Sequence, residues 1–305
     1  MKILNNKSYK NIYKKNYKKH GYTLIPCPNK EDYKSLINDI HAKYSNYLQN
    51  LNHKNFDSNN KLAFRDKSGN PRHVIDILRD KKSSASKIFK HQNIKKIISH
   101  FTNPSKRYIF THSKLSFKTI GKDASWSPHQ DNGYKKFKKR DGFAIFICLE
   151  DMNLQNGALE VFHESHKLGT LPHVRRSESS SGDGQYVIEE VNIPSNLKKI
   201  VLAANAGDII IFHQDCIHMS SQTKNDSQRL AFIFEIEEYK NCELDDYGLV
   251  PIFLQGKLSF LEKLITLFKT QFSPLRIWLN LSKYPFLKKK IRKLILIPLG
   301  IIKGN

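Results

Sequence analysis

Six short β-rich segments follow one another between residues 107 and 238, and they constrain the fold more than any other feature. They read RYIFTHSKLSFK, GFAIFICLE, GALEVFHES, QYVIEEVNI, GDIIIFH and RLAFIFEIEE. Several end at Gly, Asn or Asp, residues that are typical of turns between strands. No helical pattern separates them, as it would in a parallel α/β fold. The sequence therefore predicts a mainly β fold, a sandwich or barrel with flanking helices.

The flanking segments have a different pattern. Apolar residues recur at helical spacing from residue 31 to about 51 and again over 85–101, and from Pro251 onward Leu and Phe alternate with Lys. We therefore divide the chain into a basic N-terminal extension (1–20), a central domain (21–245) with its β core at about 105–237, and a basic amphipathic helical C-terminal extension (246–305).

The formal net charge is +23, but most of the excess lies at the two ends. Residues 1–20 contain seven lysines and no acid, and 256–305 contain eleven Lys and Arg against one Glu. This distribution fits a general lysine bias as well as it fits an anionic partner. Four scattered cysteines without a CxxC pair, and no apolar leader, predict a cytoplasmic protein. The apolar run at 294–302 is too short to span a bilayer, so a membrane contact there would be peripheral.

A candidate metal site begins in WSPHQDNGY, residues 126–134. Alternate residues of an extended strand face the same side, so His129 and Asp131 can reach one ion. A lone His-x-Asp is usually a surface loop, and a third ligand is needed. His218 follows the strand GDIIIFH and supplies it, since two histidines and one carboxylate are the donors of oxygen-activating Fe(II) sites. Arg229 opens the strand RLAFIFEIEE, which we expect to pair with residues 208–213, and its guanidinium suits a cosubstrate carboxylate.

The motif HQD occurs twice, which leaves a second interpretation of the ligands. His213 and Asp215 could join His218 in a local loop site. That arrangement would leave the first motif and Arg229 without a role. We therefore favour His213 as a structural residue at a strand end, and a ligand set of His129, Asp131 and His218.

Three ordered segments resemble the phytanoyl-CoA dioxygenase family of Fe(II)/2-oxoglutarate oxygenases over about residues 105–237. They are PHQD, NGALEVFHESHKLG and GDIIIFHQDCIHMSSQTKNDSQR. The resemblance implies a double-stranded β-helix (a cupin-like jelly roll) and a dioxygenase that uses Fe(II), 2-oxoglutarate and O2. It implies metal ligands at His129, Asp131 and His218, and 2-oxoglutarate contacts at Arg229, Ser220 and, by a looser match, Lys118.

The chain departs from the family pattern at one segment, and the type of reaction and the substrate contacts stay open. FHESH replaces the family's usual proline-glycine before SH, so His166 is interpreted as an orienting or structural residue. Retention of the carboxylate at Asp131 favours hydroxylation over halogenation, with succinate and CO2 as co-products, whereas desaturation and epimerisation stay open. Trp126, Asn132 and Tyr134 flank the ligands and are candidate substrate contacts.

The predicted substrate is a small metabolite, anionic or lipid-linked. The lysine-rich run at 134–140 would attract an anion at the mouth of the barrel, and the alternative is a solvated lysine loop. Arg65 and Arg72 are further candidates for the mouth. A nucleic-acid demethylase is disfavoured because Glu235 stands where an R-x5-R pattern needs a second arginine. The remaining alternative is a non-catalytic jelly-roll protein that binds a membrane surface through the C-terminal tail.

Overall fold

The computed structural model describes residues 7–27, 34, 38, 63–65, 71–75, 92–118, 125–135, 141–176, 185–224, 229–239 and 252–255. The chain divides into two compact units. The first comprises Met1–Asn103 and His112–Glu237, and the second comprises Pro104–Thr111 and Glu238–Asn305.

The bounds of two α-helices and fourteen strands lie among the described residues. The helices are α1 (Lys7–His20) and α2 (Gln92–Phe101). The strands are β1 (Tyr22–Ile25), β2 (Ala63–Arg65), β3 (Pro71–Ile75), β4 (Tyr108–Lys118), β5 (Trp126–His129), β6 (Gly142–Cys148), β7 (Glu160–Phe162), β8 (Val174–Arg176), β9 (Gln185–Val187), β10 (Lys199–Val201), β11 (Ile209–His213), β12 (His218–Ser220), β13 (Arg229–Glu238) and β14 (Ile252–Gln255).

Two antiparallel sheets organise the strands. The larger has the order β1-β11-β6-β13-β4-β3-β2, with β14 also paired to β4, and the smaller has the order β10-β7-β12-β5. Strands β8 and β9 form a separate hairpin. Our expectation that the strand at Arg229 pairs with residues 208–213 is wrong, because β6 lies between β11 and β13 and pairs with both.

The core forms where side chains of the two sheets meet. Every residue of β6 is buried, as are the four apolar residues of β11, so the centre of the larger sheet is covered on both faces. Phe146 and Phe212 of this sheet share one apolar cluster with Val161 of the smaller sheet. Two sheets packed on a common core agree with the sandwich or barrel predicted from the succession of short strands, and with the jelly roll that the family resemblance implies.

The N-terminal helix belongs to the same unit as this core. In α1, the Lys14 amine donates to the carbonyl of His100 at 2.6 Å. The ring of Tyr17 packs edge-on against Phe101 and Phe143, with centroids 5.4 and 6.3 Å apart. Residues 7–20 of the predicted extension are therefore a docked helix. Of the helix predicted over 31–51, Lys34 and Asn38 lie among the described residues, and both are helical and exposed.

The second unit is described over short stretches. Strand β14 pairs antiparallel with the start of β4, with Ile252 opposite Phe110, and Lys106 forms an ion pair of 2.7 Å with Glu238. Residues 252–255 are thus a strand where we predicted helix. The rest of the predicted C-terminal extension, including the tail proposed to contact a membrane, lies outside the described residues. Within the described residues, no helix has the length and apolar character needed to cross a bilayer.

Candidate active site

Neighbouring strands of the smaller sheet bring the predicted metal ligands together. Strands β5 and β12 are antiparallel, and their register places His218 directly opposite His129. Gln130 keeps the chain extended past the end of β5, with φ −121° and ψ 140°, before a short 3-10 helix begins at Asp131. Because the backbone is extended across these three residues, the side chains of His129 and Asp131 point to the same side.

The three side chains form one compact cluster. One potential ligand atom from each of His129, Asp131 and His218 lies within 4.8 Å of the other two. Nε2 of His218 is 3.6 Å from Oδ1 of Asp131, and the two imidazole centroids are 4.1 Å apart. All three residues are buried, with exposed fractions of 3%, 7% and 5%. The predicted convergence of these segments is therefore found in the structure.

Hydrogen bonds orient both imidazoles. Nδ1 of His129 donates to the carbonyl of Ser127 at 2.7 Å, and Nδ1 of His218 donates to the carbonyl of Cys216 at 3.0 Å. A carbonyl only accepts, so the proton sits on Nδ1 and the lone pair on Nε2 is left for a metal. Burial lowers the pKa of both histidines, that of His129 well below its ordinary value. Two neutral imidazoles and a carboxylate fit a divalent first-row metal.

Gln130, between the two ligands of the first motif, is fully buried and makes three side-chain hydrogen bonds. Its Nε2 donates to the carbonyls of Gly169 and Asp215 at 2.7 and 2.6 Å, and its Oε1 accepts from the amide of Leu171 at 2.7 Å. Its own backbone N–H donates to Nε2 of His173 at 3.0 Å. Sequence reasoning missed this residue. Strand alternation could have indicated it, because a side chain between two ligands that face the metal must point to the opposite side, where a polar group needs protein partners.

The second HQD motif supports the first. Nδ1 of His213 accepts from the backbone N–H of Asp215 at 3.0 Å. Oδ1 of Asp215 accepts from Nδ2 of Asn132 at 2.9 Å and from the hydroxyl of Thr170 at 2.5 Å. Among the described residues, His213 and Asp215 belong to no group of potential metal ligands. The alternative ligand set is therefore not assembled in this structure.

A cavity opens beside the cluster. It measures about 400 Å³ with the solvent-filled space at its mouth, and its lining includes three of the candidate contacts, Trp126, Ser220 and Arg229. Lys114, which we did not predict, also lines it, with Nζ 5.2 Å from the centroid of the Trp126 ring. Tyr134 packs edge-on against the imidazole of His129 at 5.7 Å and is 37% exposed.

Arg229 contributes a buried cation to the cavity. The residue is 2% exposed. Its Nη1 donates to the carbonyl of Gly157 at 2.7 Å, and its buried Nε has no hydrogen-bond partner among the described residues. Burial lowers the pKa of Arg229 to about 10, so the fold disfavours this charge. A buried guanidinium whose Nε–H has no acceptor among the described residues is suited to an anionic ligand.

Other predicted contacts lie outside the cavity lining. Asn132 is buried with its amide turned to Asp215. Lys118 is 1% exposed, and its amine donates to the carbonyl of Ser221. The amine of Lys135 pairs with Glu235 at 3.3 Å and with Glu237, so it is directed inward and not to a mouth.

Other candidates for the mouth cannot be placed there. Residues 136–140 lie outside the described residues, and nothing is described of the side chains of Arg65 and Arg72. His166 rests against α1, where Nε2 meets the carbonyl of Lys18 at 3.1 Å. It is not part of the metal cluster.

A jelly roll that gathers two imidazoles and a carboxylate around one point, beside a buried arginine, defines a class of protein with a candidate metal site. Residues 17–231 match the family model described as phytanoyl-CoA dioxygenase (PhyH). The chain belongs to the phytanoyl-CoA dioxygenase family.

Curated relatives match part of the chain. A phytanoyl-CoA dioxygenase of Arabidopsis thaliana is 28% identical over 139 residues, which are 45% of this chain and 47% of that protein. A phytanoyl-CoA dioxygenase domain-containing protein 1 of Rattus norvegicus is 28% identical over 113 residues, 37% of this chain and 39% of the relative. The chain thus matches about half the length, or less, of these relatives.

Solved structures confirm the jelly-roll fold. The non-heme monooxygenase ThoJ superposes with a TM-score of 0.58 at 17% identity, covering 81% of this chain and 84% of that one. The epimerase SnoN, in complex with Fe3+, α-ketoglutarate and nogalamycin RO, gives a TM-score of 0.57 at 14% identity, with 83% and 97% covered. AviO1 from Streptomyces viridochromogenes gives 0.57 at 15% identity, with 75% and 94% covered.

Proposed function

We propose that the protein is an Fe(II)/2-oxoglutarate-dependent dioxygenase that hydroxylates a small metabolite and releases succinate and CO2. The observation that carries this proposal is the buried cluster of His129, Asp131 and His218 in the same cavity as Arg229. Membership of the phytanoyl-CoA dioxygenase family supports it. So does the similarity of fold to SnoN, whose complex contains Fe3+ and α-ketoglutarate.

In this proposal, His129, Asp131 and His218 hold the iron. When bound, iron with 2-oxoglutarate and O2 supplies the oxidation of a substrate C–H bond, and the protein supplies position and environment. The carbonyl acceptors at Nδ1 of both imidazoles fix the rings so that each presents Nε2. Burial of the three ligands limits access of bulk water to the reacting atoms.

Arg229 is the proposed anchor for the distal carboxylate of 2-oxoglutarate. Its buried Nε has no protein partner among the described residues, so a carboxylate would satisfy it and offset the buried charge. Ser220 lines the same cavity and is placed to add a hydroxyl donor. Lys118 stays a prediction as a further contact. Its amine lies near Gly157, the residue whose carbonyl binds Arg229.

For the substrate, we propose an anionic small molecule, which can also be the anionic head of a lipid-linked compound. Lys114 supports this, because its amine sits at the cavity over the ring of Trp126. A cation on an aromatic face beside the metal cluster would hold a carboxylate, a phosphate or the anionic carrier of an acyl thioester close to the iron.

Anaerobic titration tests the metal and cosubstrate roles. Adding Fe(II) and then 2-oxoglutarate should produce the visible metal-to-ligand charge-transfer band with one iron per cavity. Asp131→Ala should lose this band. Asp215→Ala should keep it, because the Asp215 carboxylate binds Asn132 and Thr170. Loss of the band in Asp215→Ala with retention in Asp131→Ala would overturn the ligand assignment.

The substrate class is tested by stimulation of 2-oxoglutarate turnover. Small carboxylates, phosphates and acyl thioesters of a phosphate-bearing carrier should raise succinate formation above the uncoupled rate, whereas the matched uncharged esters, thioesters and amides should not. Lys114→Met should remove the difference between the two sets while leaving 2-oxoglutarate affinity within about threefold. Equal stimulation by the neutral set, in wild type and variant alike, would reject an anionic substrate.

A further inference from the structure

A second group of potential metal ligands lies at the junction of α1 and the smaller sheet. It comprises His20, the last residue of α1, and His163 and Glu164, which follow β7. One ligand atom from each lies within 4.8 Å of the other two. The side chains are partly exposed, at 24%, 32% and 32%, so a bound ion could also hold water.

The donor atoms of this group face one another. Nδ1 of His20 is 3.5 Å, and Nε2 of His163 is 3.7 Å, from Oε1 of Glu164. Nδ1 of His163 is hydrogen-bonded to the hydroxyl of Tyr22 at 3.0 Å, which orients its ring and leaves Nε2 for a ligand. Nδ1 of His20 is buried and has no hydrogen-bond partner among the described residues. A zinc ion with bonds of about 2.0–2.1 Å needs donors at about these separations.

Glu164 has a left-handed backbone conformation, which is strained for a residue other than glycine. Its φ of 62° and ψ of 8° are left-handed, and among the described residues it alone has a positive φ without being glycine. Its N–H donates to the carbonyl of His20 at 3.0 Å, a bond that glycine would form equally well. A carboxylate held in a conformation that favours glycine indicates a use for the side chain.

Positive neighbours limit the affinity of the group for a cation. The amine of Lys167 pairs with Oε2 of Glu164. Lys19 and Lys198 are further positive charges near His163. Oε1 faces the two imidazoles and is available to an ion, whereas Oε2 is shared with Lys167. An ion would therefore bind through three protein ligands, and the exposed pair between Lys167 and Oε2 of Glu164 would stay in place.

We propose that His20, His163 and Glu164 form a zinc site that fastens α1 to the jelly roll. Two imidazole nitrogens and a carboxylate oxygen are zinc ligands, and water completes the coordination. The site is distinct from the buried cluster at His129, since no residue is shared. Because a bound ion joins a helix to a strand end, it would stabilise the folded state by linkage.

Counting zinc in untagged, metal-stripped full-length protein tests the site. Equilibrium dialysis should give two zinc ions per wild-type chain and one in Asp131→Ala/His218→Ala, which lacks the first cluster. Adding Glu164→Gly to that double variant should lower the remaining affinity at least tenfold. The same change should raise the unfolding midpoint of the metal-free protein, since glycine relieves the left-handed backbone. A loss of binding is then not a loss of folding.

The matched control is His166→Ala, because His166 also contacts α1 but lies outside the group. In the double-variant background, His166→Ala should retain one zinc, whereas His20→Ala and His163→Ala should each lose it. Zinc should raise the melting temperature of the double variant with and without His166→Ala, but not after His20→Ala or His163→Ala is added. Unchanged zinc affinity after His20→Ala, or no zinc bound by the double variant, would overturn the proposal. Neither result would bear on the oxygenase proposal.

Discussion

Replacing Arg229 by methionine should have different effects on two quantities, the affinity for 2-oxoglutarate and the free energy of unfolding. A guanidinium that holds a carboxylate donates two charge-assisted hydrogen bonds, each worth about 1.5–3 kcal/mol. Their loss should weaken 2-oxoglutarate binding by about 3 kcal/mol or more, which is about 100-fold or more in Kd.

The effect on the metal-free, ligand-free protein should differ in sign. Burial lowers the pKa of Arg229 from 12.5 to about 10, and at about 1.4 kcal/mol per pKa unit the fold disfavours this cation by about 3 kcal/mol. Near neutral pH the arginine is protonated in both folded and unfolded chains, so the whole penalty is present. Methionine removes it but leaves the carbonyl of Gly157 without its donor, which costs about 1–3 kcal/mol. The free energy of unfolding should therefore stay unchanged or rise by up to about 2 kcal/mol.

Two measurements check this prediction. The charge-transfer band, followed during anaerobic 2-oxoglutarate titration, gives Kd, and urea unfolding of the apo protein gives stability. Arg175→Met, on the exposed strand β8, is the matched control and should change neither. Arg229→Lys should fall between wild type and Arg229→Met, because an amine keeps the charge and loses the paired geometry. A Kd within about threefold of wild type, or an apo protein destabilised by more than about 3 kcal/mol, would show that Arg229 is a structural residue.

Three further predictions concern the surroundings of the metal. Burial lowers the pKa of His129 and His218, so at mildly acidic pH these histidines bind protons in the unfolded chain but not in the folded one. The urea midpoint of the apo protein should therefore fall as the pH drops below about 6.5, and it should fall less steeply in His129→Leu. Gln130→Ala removes three buried hydrogen bonds and should cost about 2–4 kcal/mol in urea unfolding and at least tenfold in iron affinity; wild-type iron affinity would show that it does not position the ligands. Gly157→Ala would place a Cβ 2.5 Å from the backbone oxygen of Ser221, on a residue whose φ is +73°. The Gly157 carbonyl that binds Arg229 should therefore shift, and the Kd for 2-oxoglutarate should rise; an unchanged Kd would contradict this.

The metal cluster was predictable from sequence because it depends on local alternation and two motifs. Extended backbone through Gln130 sends His129 and Asp131 to one side, and His218 follows a strand recognisable by its isoleucines. Pairing between distant strands carries no such local signal. The sequence could not indicate that β6 separates β11 from β13, since each of the three strands contains an uninterrupted apolar run and could pair with either of the others.

The lysines of β4 show the same limit at the cavity. Lys114 and Lys118 lie four residues apart, so both side chains face the same side, about 13 Å from each other along the strand. Alternation therefore cannot tell which one reaches the cavity. The register of the sheet decides it: Lys114 lines the cavity, and the amine of Lys118 donates to the carbonyl of Ser221.

The two HQD motifs have the same residues but different roles, because they lie in different sheets. In the first, the histidine and aspartate face the cavity because β5 pairs with β12, which brings His129 opposite His218. The second ends β11 in the other sheet, and there the backbone carbonyl and carboxylate of Asp215 receive hydrogen bonds from Gln130 and Asn132. The first motif thus supplies the candidate ligands, and the second holds the turn that carries them. A metal site assigned from the letters alone would be ambiguous, and the strand pairing resolves it.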